Sequence, residues 1–164
     1  VRPDISEKLF EPLFTFEIIL ALWISVGAAI SSSWLRFPDM RGAGWLITMT
    51  MTLLAVFVVK SLVRTAVEVP FTSDFQFGHH CQNLSILFGV MPAIIVLFIS
   101  IHGKTTRPIL MSFMNTLSIG GMSYVAMRIV CLQDDMGHLC IYHILPYLFL
   151  GFIGAIVGRR IYRW

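Results

Sequence analysis

The cysteines and histidines are the residues of this chain whose types and spacing could do chemistry. All three cysteines and four of the five histidines lie in two short stretches between long apolar runs. These residues are Cys81, Cys131 and Cys140, with His79, His80, His138 and His143. Thiolates and imidazoles act as metal ligands, and thiols also form disulfides or react with oxidants.

Three interpretations of these residues stay open from the sequence. In an oxidising compartment a disulfide would persist, either Cys81–Cys131 or Cys131–Cys140, with one thiol left over. A site for zinc or a related soft ion is the second, although the spacing matches no standard zinc finger and the metal stays unknown. A thiol sensor near histidines is the third, because imidazolium can lower a thiol pKa. Structural disulfides or inert buried thiols are the plain alternative. The additional candidate thiol or metal ligands beside Cys81 and Cys131 are Cys140, His79, His80 and His138.

Motifs of enzymes are missing from the sequence. It contains no GxSxG, HExxH or P-loop pattern, and no CxxC of the kind that redox catalysts use. We therefore predict no enzymatic activity and no cofactor.

The elements that must position these residues are membrane helices. Hydrophobic residues make up 57% of the 164 residues and charged residues 13%, about half the charged fraction of soluble proteins. A helix needs roughly 20 mostly apolar residues to cross a bilayer. We predict one all-α, polytopic membrane domain over residues 1–164, with five helices. They span about residues 13–34, 45–63, 84–101, 109–129 and 141–158.

The distribution of Lys and Arg sets the predicted orientation. Of the 12 such residues, seven fall in alternate connections and the C-terminal tail, and eight of the nine acids fall in the other set of connections. We place the basic set and the C-terminus in the cytoplasm, which puts Val1 and every cysteine outside. The basic set is Arg36, Arg41, Lys104, Arg107, Arg159, Arg160 and Arg163.

Some polar and small residues lie within the apolar runs. Glu17 lies one turn inside the first run, where it either reaches the outer interface or acts as an intramembrane functional acid. Lys60 and Arg128 are expected to extend their side chains to the interface as anchors. Stripes of small residues, such as Gly154-x-x-x-Gly158, favour close helix packing within one chain, with a homo-oligomer as the alternative.

An ordered set of short motifs along the chain resembles the NrsF family, bacterial inner-membrane negative regulators of extracytoplasmic-function sigma factors. The resemblance covers nearly the whole chain, and the ordered set carries it rather than any single motif. The motifs are Arg2-Pro3-Asp4, Glu11-Pro12-Leu13-Phe14, Cys81, Thr106-Arg107-Pro108, Cys131-x-x-Asp134-Asp135, Tyr142-His143, Gly154 and the terminal run Gly158-Arg159-Arg160-Ile161-Tyr162-Arg163-Trp164.

The resemblance implies several properties beyond those that composition indicates. Family members have six helices and a short cytoplasmic N-terminal region, so that region and one helix would precede Val1, in keeping with the missing initiator methionine. The protein would hold a sigma factor at the inner membrane and release it under metal or oxidative stress. It would not contact nucleic acid directly. Two extracytoplasmic cysteines implicated in sensing correspond to Cys81 and Cys131, whereas Cys140 departs from the family pattern.

Two other functions compete with this interpretation. A membrane thiol oxidoreductase that works with a quinone would explain cysteines beside a helical bundle, but it should show paired reactive cysteines. A small transporter should show broken helices and inverted repeats, and no convincing repeat is present.

Overall fold

A computed structural model describes residues 2–37, 44–68, 79–101 and 105–161 of the chain. The described residues form α-helices and one π-helical turn, with no β-sheet among them. The α-helices are α1 (Ile5–Lys8), α2 (Pro12–Trp34), α3 (Gly44–Glu68), α4 (His79–Ile101), α5 (Pro108–Val130), α6 (Met136–Leu139) and α7 (Leu145–Ile161), and the π-helical turn is Cys140–Ile144.

Four helical stretches are long and apolar enough to cross a membrane. They are Pro12–Trp34, Gly44–Val67, Pro108–Val130 and Gly137–Arg160, and a shorter apolar helical stretch covers Asn83–Val96. The predicted all-α membrane class is therefore confirmed. Each of the five predicted segments overlaps one long helix. Four of them coincide with the membrane-length helices, and a membrane crossing at α4 stays a prediction.

Prolines mark the starts of two of these helices. Pro12 and Pro108 occupy the first turns of α2 and α5. The fixed φ of proline suits the first helical position, where its missing N–H is not needed.

Helix α5 lies at the centre of the bundle and packs against α2, α4 and α7, while α3 packs against α2. The hydroxyl of Ser25 in α2 donates to the Ser118 carbonyl in α5 at 2.7 Å. At one end of the α2–α5 pair, the backbone N–H of Arg2, ahead of α2, donates to Ile129 O at the end of α5 at 3.1 Å. At the other end, Thr105 Oγ1, ahead of α5, donates to Leu35 O just after α2 at 2.6 Å. Helices α2 and α5 are therefore antiparallel.

Small residues lie where the helices approach most closely. A Cβ added to Gly121 would come within 2.8 Å of Ser25 Cβ, and one added to Gly151 would come within 2.9 Å of Thr116 Cγ2. Lipid supplies no hydrophobic drive between helices, so such close backbone approach is a main source of attraction.

The outward faces of the bundle are apolar. Large hydrophobic side chains on α3 and α7, including Val59, Leu62, Phe149 and Phe152, are more than half exposed. A surface this apolar is unsuited to water and suits contact with lipid.

Candidate functional site

Three parts of the chain meet at one end of the bundle, which we call the Cys131 end. They are the N-terminal segment, the start of α4 and residues 131–144. Antiparallel packing brings the start of α2 beside the end of α5, and Tyr147 near the start of α7 donates to Ser85 O near the start of α4 at 2.6 Å. The chemistry-bearing residues singled out in the sequence are concentrated at this end.

Cys131, His138 and His143 form a buried cluster, which we call the Cys–His–His cluster. Their exposed fractions are 4%, 5% and 1%. One ligand atom from each residue lies within 4.8 Å of the other two, and Cys131 Sγ is 3.5 Å from His138 Nε2. This arrangement can hold a borderline or soft metal ion.

The local fold explains how His143 reaches the cluster. Asp135 Oδ2 accepts the backbone N–H of His138 at 3.0 Å at the start of α6, and the π-helical turn Cys140–Ile144 follows at once. His143 follows His138 by five positions in the sequence. In a regular α-helix that spacing rotates a side chain by about 140°, whereas π-helical hydrogen bonds join residues five apart. The wider turn therefore brings both imidazoles to one side.

His143 is the residue that the sequence analysis did not assign to a site. Neither ring nitrogen has a hydrogen-bond partner among the described residues, and the ring centroid lies 5.1 Å from that of His138. The spacing of five residues between two histidines was the available signal. It points to a common face only if a π turn is assumed.

The other predicted thiol and imidazole residues lie outside this cluster or outside the described side chains. Cys140 is a thiol whose Sγ lies 3.9 Å from Thr65 Oγ1, so it faces α3 instead. Cys131 is also a thiol, and the alternative Cys131–Cys140 disulfide is not formed. The backbone of His79, His80 and Cys81 forms the start of α4, but their side chains are outside the described part.

A network of buried charges, which we call the Glu17 network, lies next to the cluster. Glu17 is 1% exposed and accepts hydrogen bonds from Lys60 and from the Tyr124 hydroxyl. Arg64 Nη1 lies 3.5 Å from its carboxylate, and Arg128 Nε lies 3.4 Å away. The carboxylate of Glu17 therefore points into the bundle and does not reach the outer interface, while a functional role for this acid stays a prediction.

Arg128 corrects a prediction made from the sequence. It was expected to extend to the interface, but its side chain is 2% exposed and points inward. Its Nη1 contacts Asp134 Oδ1 at 2.6 Å, and its guanidinium lies 4.6 Å from the centroid of the Phe14 ring. A cation buried this deeply needs such partners, since desolvation without them is costly.

Asp134 continues the network out of the membrane-spanning segments. Arg2 Nη1 donates to Asp134 Oδ1 at 2.9 Å, and Lys8 Nζ lies 3.4 Å from Oδ2. Burial by itself would raise the pKa of Asp134. The hydrogen bond from Arg2 and the charge of Arg128 outweigh burial and hold that pKa well below its ordinary value of 3.8.

The Glu17 network and the cluster share one short segment of chain. Asp134 lies between Cys131 and His138 in the sequence, and its backbone carbonyl accepts a hydrogen bond from Arg64 Nη2 at 3.2 Å. A cavity of about 460 Å³ opens beside this segment. Its lining includes Lys8, Phe14, Lys60, Arg64, Arg128 and Asp134. Movement of the segment would therefore disturb charges held by α2, α3 and α5.

The predicted basic residues that the structure describes lie at the opposite end of the bundle. Arg36 follows α2, Arg107 precedes α5, and Arg159 and Arg160 lie in the last turn of α7. All but Arg36, which is half-buried, are exposed. Arg41, Lys104 and Arg163 lie outside the described residues.

Comparison with known proteins identifies the class to which this bundle and its cysteine-bearing end belong. The NrsF family, described as "Negative regulator of sigma F", matches residues 1–164, and the chain belongs to this family. The chain is also similar to a protein named anti-sigma-F factor NrsF from Caulobacter vibrioides (strain NA1000 / CB15N). The two are 25% identical over 168 residues, which cover 99% of this chain and 78% of that protein. No solved structure matches the chain.

Proposed function

We propose that this protein is a membrane-bound anti-sigma factor that sequesters an extracytoplasmic-function sigma factor and releases it when metal or oxidant acts on Cys81 and Cys131. Membership of a family of negative regulators supports the anti-sigma role, as does the name of the Caulobacter relative. A family of regulators also favours a role without catalysis.

The proposed location is the bacterial inner membrane, with the C-terminus in the cytoplasm and Val1 outside. The positive-inside rule supports this orientation, because Arg36, Arg107, Arg159 and Arg160 share one end of the bundle. The sigma factor would bind at that end. Anchoring to anionic lipid is the plainer role of any single arginine there.

The observation that carries the signalling step is the shared segment between Cys131 and His138. Its Asp134 contacts Arg128 of α5, and Arg64 of α3 binds its carbonyl. A change at Cys131 would shift these contacts and, through them, the packing of the helices. The signal releases the sigma factor only if the sigma factor binds the two helix packings, before and after the change at Cys131, with different affinity.

Affinity purification of the full-length protein from membranes tests the anti-sigma role. A sigma factor should co-elute from untreated cells and be lost after exposure of the cells to Cd²⁺ or an oxidant. An eluate without any sigma factor under both conditions would contradict the proposal.

Cysteine variants test the sensing role. Cys81→Ser and Cys131→Ser should abolish induction of a sigma-dependent reporter by the stress, whereas Cys140→Ser should respond normally. Unchanged induction in both of the first two variants would remove them from the sensor. The thiol oxidoreductase alternative gains no support from the geometry, since Cys131 faces histidines and Cys140 faces Thr65.

A further inference from the structure

We propose that Cys131, His138 and His143 together bind a borderline divalent ion such as Zn²⁺. The assignment places a three-ligand metal site at the Cys131 end. This assignment rests on the proposed function only for the idea that the stress signal acts at the Cys131 end of the bundle. Its test needs no sigma factor.

The distances suit a tetrahedral ion. Zinc lies about 2.3 Å from sulfur and about 2.0–2.1 Å from imidazole nitrogen, so tetrahedral geometry puts these two ligand atoms about 3.6 Å apart. Cys131 Sγ and His138 Nε2 are 3.5 Å apart. Because no pair in the cluster exceeds 4.8 Å, binding requires the ligand atoms to approach one another by at most about 1.5 Å.

His143 supplies an independent reason for a ligand at this position. Its two ring nitrogens are buried without hydrogen-bond partners among the described residues. Leaving buried polar groups unsatisfied costs free energy, and native structures rarely do so without a functional reason. A metal ion would satisfy one nitrogen. The π-helical turn that brings His143 to the cluster is itself a feature enriched at functional sites.

Among the described side chains, the neighbours of the cluster have other tasks and none supplies a fourth ligand. Asp135 Oδ2 accepts the His138 backbone N–H at 3.0 Å, which fixes the start of α6. Cys140 Sγ is directed to Thr65.

The test uses the full-length protein in detergent and Co²⁺ as a spectroscopic probe. One equivalent of Co²⁺ should give the intense visible bands of a tetrahedral site and a thiolate-to-cobalt charge-transfer band, and Zn²⁺ should displace both. Cys131→Ser should lose the charge-transfer band. His138→Gln and His143→Gln should each weaken binding at least about 100-fold, because loss of even an outer-shell partner costs 10–100-fold.

Cys140→Ser is the matched control and should bind Co²⁺ like the parent protein. Gel filtration of each variant distinguishes loss of the metal site from loss of the fold. A folded His143→Gln protein that binds Co²⁺ as tightly as the parent protein would overturn the proposal. Loss of the charge-transfer band in Cys140→Ser instead of Cys131→Ser would overturn it too. A protein that fails to bind metal could still capture a sigma factor, and a protein that captures no sigma factor could still bind metal. The two proposals therefore fail separately.

Discussion

Replacing the buried carboxylate by an amide should destabilise the bundle strongly. Glu17→Gln keeps the shape of the side chain but removes the charge that Lys60, Arg64 and Arg128 surround. Lys60 and Arg64 are 20% and 26% exposed, so they can turn towards the interface. Arg128 is 2% exposed and cannot do the same.

The magnitude follows from that one stranded cation. Breaking a buried ion pair by removing one partner costs about 3–5 kcal/mol. Arg128 keeps Asp134 at 2.6 Å, so we expect the lower end, about 3 kcal/mol off the free energy of unfolding. If Arg128 causes the loss, adding Arg128→Gln should recover part of it, as a double-mutant cycle would measure.

Unfolding by SDS in mixed micelles, followed by tryptophan fluorescence, measures this free energy. The matched control is Glu11→Gln, the same chemical change six residues earlier. Glu11 is 55% exposed and pairs with Lys8 at the surface, where ion pairs contribute little. Equal destabilisation by both substitutions would refute the burial of Glu17 among the three cations.

Two further predictions concern acid and close packing. The unfolding free energy should fall as pH drops below about 3.8, the ordinary pKa of Asp134, because its lowered pKa stabilises the folded form above that pH and the effect is lost as the carboxylate protonates. Asp134→Asn should flatten this decline in an acid titration of stability, and an unchanged slope would contradict the ion pairing. Gly121→Ala should cost about 1–3 kcal/mol in the same SDS assay, since the new Cβ would meet Ser25. Gly44→Ala, whose Cβ would meet nothing within 4 Å, should be neutral, and equal effects would exclude close α2–α5 packing.

The long helices were predictable because hydropathy alone decides which segments enter lipid. The segment predicted at 13–34 became Pro12–Trp34, and that at 109–129 became Pro108–Val130. Glu17 was noticeable for a related reason, as an acid inside an apolar run. Its partners were not, because Lys60, Tyr124 and Arg128 come from two other helices and meet it only after packing.

The Cys–His–His cluster shows a different limit. Cys131 and His138 were singled out by residue type, and their proximity follows from a short connection. His143 joins them through a π-helical turn, which depends on tertiary packing and has no simple sequence pattern. A search that assumes 3.6 residues per turn places this imidazole on another face.

The central position of α5 has a consequence for biosynthesis. Helices α2 and α3 contact each other and leave the ribosome before α4 and α5, so they can pair as soon as both are synthesised. Helix α4 makes its main contacts with α5, α7 and the π-helical turn, all of which are synthesised after it. If α4 crosses the membrane as predicted, it must wait in the bilayer until α5 and α7 have been synthesised.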